Sequence, residues 1–387
     1  MKPDRSNDGQ WLRLNALDTL FFRGAERFDA EAGGGAYLSS LFPPNPGTVF
    51  SAFNSILLKD HALPPATEQD HDHEDGARFR ADRHLCRGPW LYCDEKERGG
   101  LLFPAPVALL VEKEVPGQTP PLPRLHRLQP GSTRYRTDLN SHSGTDVKSV
   151  QLPLAPGAPK GVKGLENAWL SREGYQAWLA GNVPAPHQWL RAKDLWCIER
   201  HTGLERDGAN RVAKEGMLYS AAHIRLRKGV SLLINLPVAS SEAIQQLPRH
   251  MPLGGEGRAV WIDVLAERLA LPTMPRLAPV EGKLYYTLSL ITPGLGAKWG
   301  VMPNAAVQDG VPGHIICCAL GRSVRIGAFD TARSQPERIR SARAAGSVWW
   351  MEAKASQADA IRKLHNTCIG AGANQGYGHV VVGVWPR

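Results

Sequence analysis

The sequence predicts an α+β protein made of two sheet-and-helix domains. Short apolar runs of strand length recur along the chain, separated by isolated amphipathic segments of helical period. The pattern begins again in the second half, and 387 residues exceed what one small core organises. We place the domains at 1–240 and 241–387.

The elements follow in order. Trp11–Leu17 alternates polar and apolar residues, as a half-buried strand does. The proline-rich passage Phe42-Pro43-Pro44-Asn45-Pro46-Gly47 leads to Thr48, a candidate cap for a helix whose Val49, Phe50, Phe53, Ile56 and Leu57 share a face. Residues 60–100 form a charged insertion. Leu101–Val111 reads as one strand. Residues 112–164 carry eight prolines and no clear period, the mark of a long loop that orders with a partner. Ser171–Ala180 is a capped helix closed by Gly181. Leu195–Glu199 and Met217–Arg227 are arms of a protruding β-hairpin near 199–216, with Asp207-Gly208 as its turn. Val230–Leu236 is a strand and Ser241–Leu247 a short helix. Further strands are expected at Arg258–Leu265, Lys283–Ile291, His314–Leu320, Val324–Phe329, Val348–Met351 and His379–Trp385. Between the last two, Ser356–Thr367 is a helix with Ala360, Ile361 and Leu364 inward.

Composition limits the function classes. The chain is 42% hydrophobic and 21% charged, as ordinary globular proteins are. No apolar run reaches membrane-spanning length, and no apolar signal segment follows Met1–Asp8, so a cytoplasmic protein without a membrane partner is expected. The six cysteines include no C-x-x-C pair, which argues against a zinc ribbon or a disulfide scaffold. The net charge of +9 divides into −4 over residues 1–100 and +13 over 101–387. A basic excess of that size suits a polyanion as much as a merely solvated surface.

Three features carry candidate chemistry. The loop Ile369–Gly378 lies between a helix and a strand, an order opposite to a dinucleotide fingerprint, and no Walker lysine follows. Gly370, Gly372, Gly376 and Gly378 let backbone amides approach an anion, and Tyr377 offers a face for a base; the alternative is a tight, ligand-free connection. On the hairpin, Arg200, His201, Arg206 and Arg211 are placed to straddle a nucleic acid strand, although Glu199, Glu205, Asp207 and Glu215 offset their charge. Between residues 322 and 343, Arg322, Arg325, Arg333, Arg338, Arg340 and Arg343 outnumber Asp330 and Glu337, as a solvated face or a phosphate-binding patch would. The run His71-Asp72-His73-Glu74-Asp75 lacks the spacing of a zinc site. His201 and His365 are the candidate general bases if the chain cleaves RNA, and nothing else calls for catalysis, a metal or a cofactor.

The ordered motifs resemble a known family. Asp18-Thr19-Leu20-Phe21-Phe22-Arg23-Gly24, Phe42–Thr48, Glu199-Arg200-His201-Thr202-Gly203 with Arg211 and Gly216–Tyr219, Leu253–Arg258, Leu290–Pro293 with Lys298-Trp299-Gly300 and Pro303, Ala345–Val348 and the closing glycine loop are similar, in order, to motifs of the third Cmr subunits of type III-B CRISPR complexes, members of the RAMP superfamily. Here Gly47 stands where those proteins usually carry Ser, and Phe329 where they carry Trp. The resemblance implies two ferredoxin-like, RNA-recognition-type domains in tandem and no nuclease activity. It implies a subunit that holds the 5′ tag of the CRISPR RNA and joins the large signalling subunit to the backbone RAMP subunits. Arg23 and Lys298 enter as further candidate RNA contacts. A RAMP endoribonuclease, a type III-A foot subunit and a nucleotide-binding enzyme are the alternatives.

Overall fold

A computed structural model describes residues 9–24, 36–57, 86–95, 98–113, 123–136, 149–206, 212–237, 244–245, 247–296, 298–327, 329–330, 335–336 and 338–385. The run His71–Asp75, the turn Asp207-Gly208, Arg211 and Arg333 lie outside them.

Two antiparallel sheets dominate. The first runs Trp189–Arg191, Ala168–Ser171, Gly100–Pro104, Arg87–Cys93, Val230–Leu236, Gln10–Ala16, Ala259–Leu265, His250–Pro252. The second runs His314–Ala319, Val348–Lys354, Lys283–Leu290, His379–Val384, Thr367–Cys368. In each sheet the opening strand, Gln10–Ala16 or Lys283–Leu290, lies between two strands that arrive much later in the chain. The division at 240/241 therefore falls inside the first sheet, which closes only when Ala259–Leu265 pairs with Gln10–Ala16. Long-range pairing decides this, and local composition carries no trace of it.

Strand alternation sorts side chains into layers. Leu12, Leu14, Leu91 and Ile234 face the helix Pro46–Leu57 through Val49, Phe50 and Phe53. Trp11, Trp90 and Leu233 face the other way and meet Val348, Trp350 and Val381 of the second sheet. The far side of that sheet, with Leu288, Trp349 and Met351, is covered by Ile361 and Leu364 of the helix Ala358–Leu364. Ala360 is exposed rather than inward, because a helix this short presents a narrow apolar stripe.

Other local expectations shift. The first helix begins at Pro46, where the fixed φ of proline suits a first turn, and Asn45 O accepts the amides of Thr48 and Val49. The expected strand 101–111 is two, Gly100–Pro104 and Leu109–Val111, parted by a turn in which Leu109 N donates to Pro106 O at 2.9 Å. The insertion 112–164 is not a featureless loop: Leu125–Arg127, Gln129–Arg136, Ser149–Leu154 and Lys163–Gly164 are strands. Arg127 ties it to the body. Its guanidinium lies 3.9 Å from the Trp178 ring centroid and donates to Trp178 O and Val384 O, while burial pulls its pKa down to about 10. Among the described residues no helix is long and apolar enough to cross a membrane.

Trp350→Ala empties a fully buried position between the sheets. It is expected to cost about 3–5 kcal/mol in urea unfolding, against under about 0.5 kcal/mol for Leu17→Ala at an exposed site.

Candidate nucleic-acid interface

Motifs far apart in sequence converge on two places. At the base of the hairpin, Trp196–Arg206 and Ala213–Leu226 pair antiparallel, and Ala36–Leu38 adds a parallel third strand. Alternation splits Trp196–Arg206 into two faces. Glu199 and His201 share one face with His223, the partner of Glu199, and with Arg225. Arg225 binds both Glu199 oxygens and reaches Asp18 Oδ1 at 3.0 Å. Arg258, held by the turn that follows Leu253, donates to Asp18 Oδ2 at 2.9 Å. His201 takes a hydrogen bond from Arg258 at Nδ1 (3.4 Å) and donates from Nε2 to Glu199 at 2.7 Å. Its ring stacks on His223 at 4.1 Å, and Phe21 also stacks on His223 at 5.0 Å.

The electrostatics follow from these contacts. Hydrogen bonds from Arg225 and then His201 hold the Glu199 carboxyl down at about 2. The backbone amide of Thr19, with Arg225 and Arg258, lowers Asp18. Desolvation, with the nearby His201 and Arg258, pulls His223 down to about 4, so it stays neutral while its Nδ1 lies 3.2 Å from Thr19 Oγ1.

Arg200 is on the opposite face. It is exposed, and its guanidinium lies 5.8 Å from the centroid of Tyr37, itself half exposed. Arg23 is exposed, and its backbone bridges Ser40. Arg206 belongs to the hairpin strand.

The second place is the terminal loop. Gly376 and Gly378 have φ of 97° and 65°, and a Cβ would lie 2.8 Å from Cys86 O at the first and 2.1 Å from Ile369 O at the second, so neither tolerates a side chain. Most of the loop's amides serve the protein itself. Gln375, Gly376, Tyr377 and Gly378 donate to Gly372 O, Ala373 O, Gly372 O and Pro293 O. The amides of Ala373 and Asn374 donate to no carbonyl among the described residues. Thr292 Oγ1 donates to Gly376 O, and Cys86 N donates to Asn374 O.

Tyr377 corrects an expectation. Only 3% exposed, it packs with Leu295, Ile326 and Ala342, so its ring is a core contact rather than a stacking platform. Its hydroxyl would lie 2.9 Å from a Cβ at position 47, which gives a steric reason for glycine there. Ile326 and Ala342 belong to a small sheet of Gly294–Leu295, Arg340–Arg343 and Val324–Ile326. The arginine-rich segment is thus the cover of the glycine loop: Arg325 lies opposite Ser341, on the face turned away from Ala342. Lys298 is exposed beside the buried Trp299, whose ring a Cβ on Gly378 would approach to 3.2 Å.

Gly372, Gly376 and Tyr377 therefore meet Gly47, Thr292 and the arginine sheet, Gly370 lies against Gln308 and Trp299, and Arg200 and His201 belong to the hairpin base. Tyr37 and the Asp18–Arg225–Glu199 network escaped sequence reasoning; the alternation of 199/201 against 200/202 is the signal that sorts them.

This arrangement defines a strand-rich α+β protein with a braced basic hairpin and an arginine-covered glycine loop. The model of the family described as CRISPR-associated protein (Cas_Cmr3) matches residues 12–385, and the chain belongs to that family. No curated protein matches it. Similar solved chains come from type III-B Cmr-beta bound to cognate target RNA and AMPPnP (15% identity, 91% of this chain and 88% of that chain, TM-score 0.49). Others come from Cmr-beta bound to cognate target RNA (16%, 96% and 96%, TM-score 0.47) and from the Csm3–Csm4 subcomplex of the type III-A interference complex (12%, 89% and 97%, TM-score 0.36).

Because the unfolded chain takes up a proton that folded His223 refuses, stability is expected to fall as pH drops from about 6.5 to about 4. Thermal denaturation across that window checks this, and His223→Gln should flatten the decline.

Proposed function

We propose that the chain is a non-catalytic, CRISPR RNA-binding subunit of a type III-B (Cmr) effector complex. It holds the 5′ tag of the guide at the foot of the complex and links the large signalling subunit to the backbone RAMP subunits. Four strands of each large sheet, Gln10–Ala16, Arg87–Cys93, Val230–Leu236 and Ala259–Leu265 in the first and Lys283–Leu290, His314–Ala319, Val348–Lys354 and His379–Val384 in the second, lie with the fourth beside the first, then the third, then the second. That order supports a ferredoxin-like, RNA-recognition-type reading. Family membership supports the assignment.

The observation that carries the RNA reading is the packing of the arginine sheet onto the terminal glycine loop through Tyr377. It puts Arg325 on the outer face of a sheet that covers the loop, and the exposed Lys298 is next in the chain to Trp299, whose ring packs close to Gly370 and Gly378. Arg200 beside Tyr37 forms a second contact, pairing a cation for phosphate with a ring for a base, and Arg23 is a further candidate. His201 acts as a brace: both its ring nitrogens are engaged, and the role extends to Glu199 and Arg225. His365 is similarly occupied by Pro272 O and Val382 N, which leaves neither histidine free as a general base.

Assembled with its guide, the complex carrying Arg200→Ala and Arg325→Ala should release RNA at lower salt. The slope of log affinity against log salt should shrink by about 0.7 per lost phosphate contact; an unchanged slope removes both arginines from the interface. Purified chain incubated with repeat RNA is expected to leave it intact. Site-specific cleavage lost in His201→Ala or His365→Ala would instead establish an endoribonuclease.

A further inference from the structure

We infer that the ribbon of Gln129–Arg136 and Ser149–Leu154 is a docking blade for another protein, one that offers a cleft with an apolar wall and an acidic wall. The ribbon leans beside the strand His314–Ala319 and belongs to neither large sheet. Two-stranded ribbons are marginal by themselves, so exposed apolar side chains on one are costly unless something covers them.

The register gives the blade two unlike faces. Tyr135 pairs with Val150, and Leu152 and Leu154 follow at every second residue, so all four lie on one side. Tyr135, Leu152 and Leu154 are 42%, 44% and 41% exposed. Gly131 lets Leu154 lie flat, because a Cβ there would sit 2.7 Å from Leu154 Cδ1. Arg134 pairs with Gln151 and belongs to the reverse face, exposed. The paired strands, 129–136 and 149–154, carry Arg134 and Arg136 and no carboxylate side chain, and the sequence joining them carries Asp138, Asp146 and Lys148.

The partition selects the occupant. A nucleic acid strand needs ring and cation on the same side, whereas Tyr135 and Arg134 are on opposite sides. A second copy of this chain would bring two carboxylate-free basic segments together. A protein with apolar residues on one wall and Asp or Glu on the other satisfies both faces at once.

The test co-expresses the chain with the other subunits of its effector complex and their guide, and so rests on the proposed function for the choice of partners. With Leu152→p-benzoylphenylalanine, ultraviolet light should cross-link one other subunit at a peptide that carries apolar and acidic residues. Leu152→Ser with Leu154→Ser, and separately Arg134→Glu, should each weaken retention of that subunit about tenfold, with melting unchanged. Val183→Ser, at an exposed apolar position on another element, should not. A cross-link to RNA, a cross-link to a second copy, or no cross-link overturns the proposal. Guide retention is read in the same particles: guide lost with the subunit cross-link intact counts against the RNA reading and leaves the blade standing.

Discussion

The apolar layer shared by the two sheets is the constraint on which the rest depends. Trp11 and Trp90, with ring centroids 5.5 Å apart, fill it from one side, and Val348, Trp350 and Val381 fill it from the other. Because side chains alternate, a slip of one residue in either sheet would turn these groups to the wrong face, so the layer fixes register as well as position. It also sets where the chemistry lies. Trp90 and His379, the residue immediately after the glycine loop, meet in a T-shaped contact with ring centroids 5.6 Å apart, and burial keeps that imidazole neutral. The loop of the second half is thereby anchored against the first half, within reach of Gly47 and Cys86.

The hairpin base obeys a different logic. Its ion pairs are partly exposed, and any one of them contributes little. Their value is positional. Arg225 joins Glu199 to Asp18, and Arg258 joins Asp18 to His201, so the opening segment, the hairpin and the turn after Leu253 become one unit. Of the interleaved charges, Glu199 acts on one face, with His201 and Arg225. Arg200 and Tyr37 lie exposed on the other, where no carboxylate among the described residues pairs with Arg200.

Periodicity and punctuation made much of the fold legible. The strands around Val230–Leu236 and Lys283–Leu290, and the helix after Ser171, follow from apolar runs and a cap: Ser171 Oγ accepts the Gly174 amide. The strands within 112–164 were hidden, because prolines and glycines dominate there and the pairing of Tyr135 with Val150 closes over an interval without periodic signal. The domain boundary was hidden for the same reason at larger scale. Of the candidate site, the glycine loop and the arginine run were visible as separate features. Their contact through Tyr377 was not, since a tyrosine in a glycine loop reads equally as a ligand platform or a core residue, and only burial separates the two.

That burial changes how the loop acts. A flexible glycine segment closing on a ligand would lose backbone freedom on binding, at roughly 1–2 kcal/mol per residue fixed. Here the freedom is already spent. Four successive amides, Gln375 to Gly378, are committed to carbonyls, Tyr377 is clamped between Gly47 and the arginine sheet, and Thr292 fixes Gly376 from below. The glycines are therefore demanded by close approach of protein to protein, not of protein to phosphate, and their left-handed geometry builds a rigid floor. Under the proposed function, an anion there would meet groups fixed beforehand, the amides of Ala373 and Asn374. Binding then draws on pre-organisation instead of opposing it.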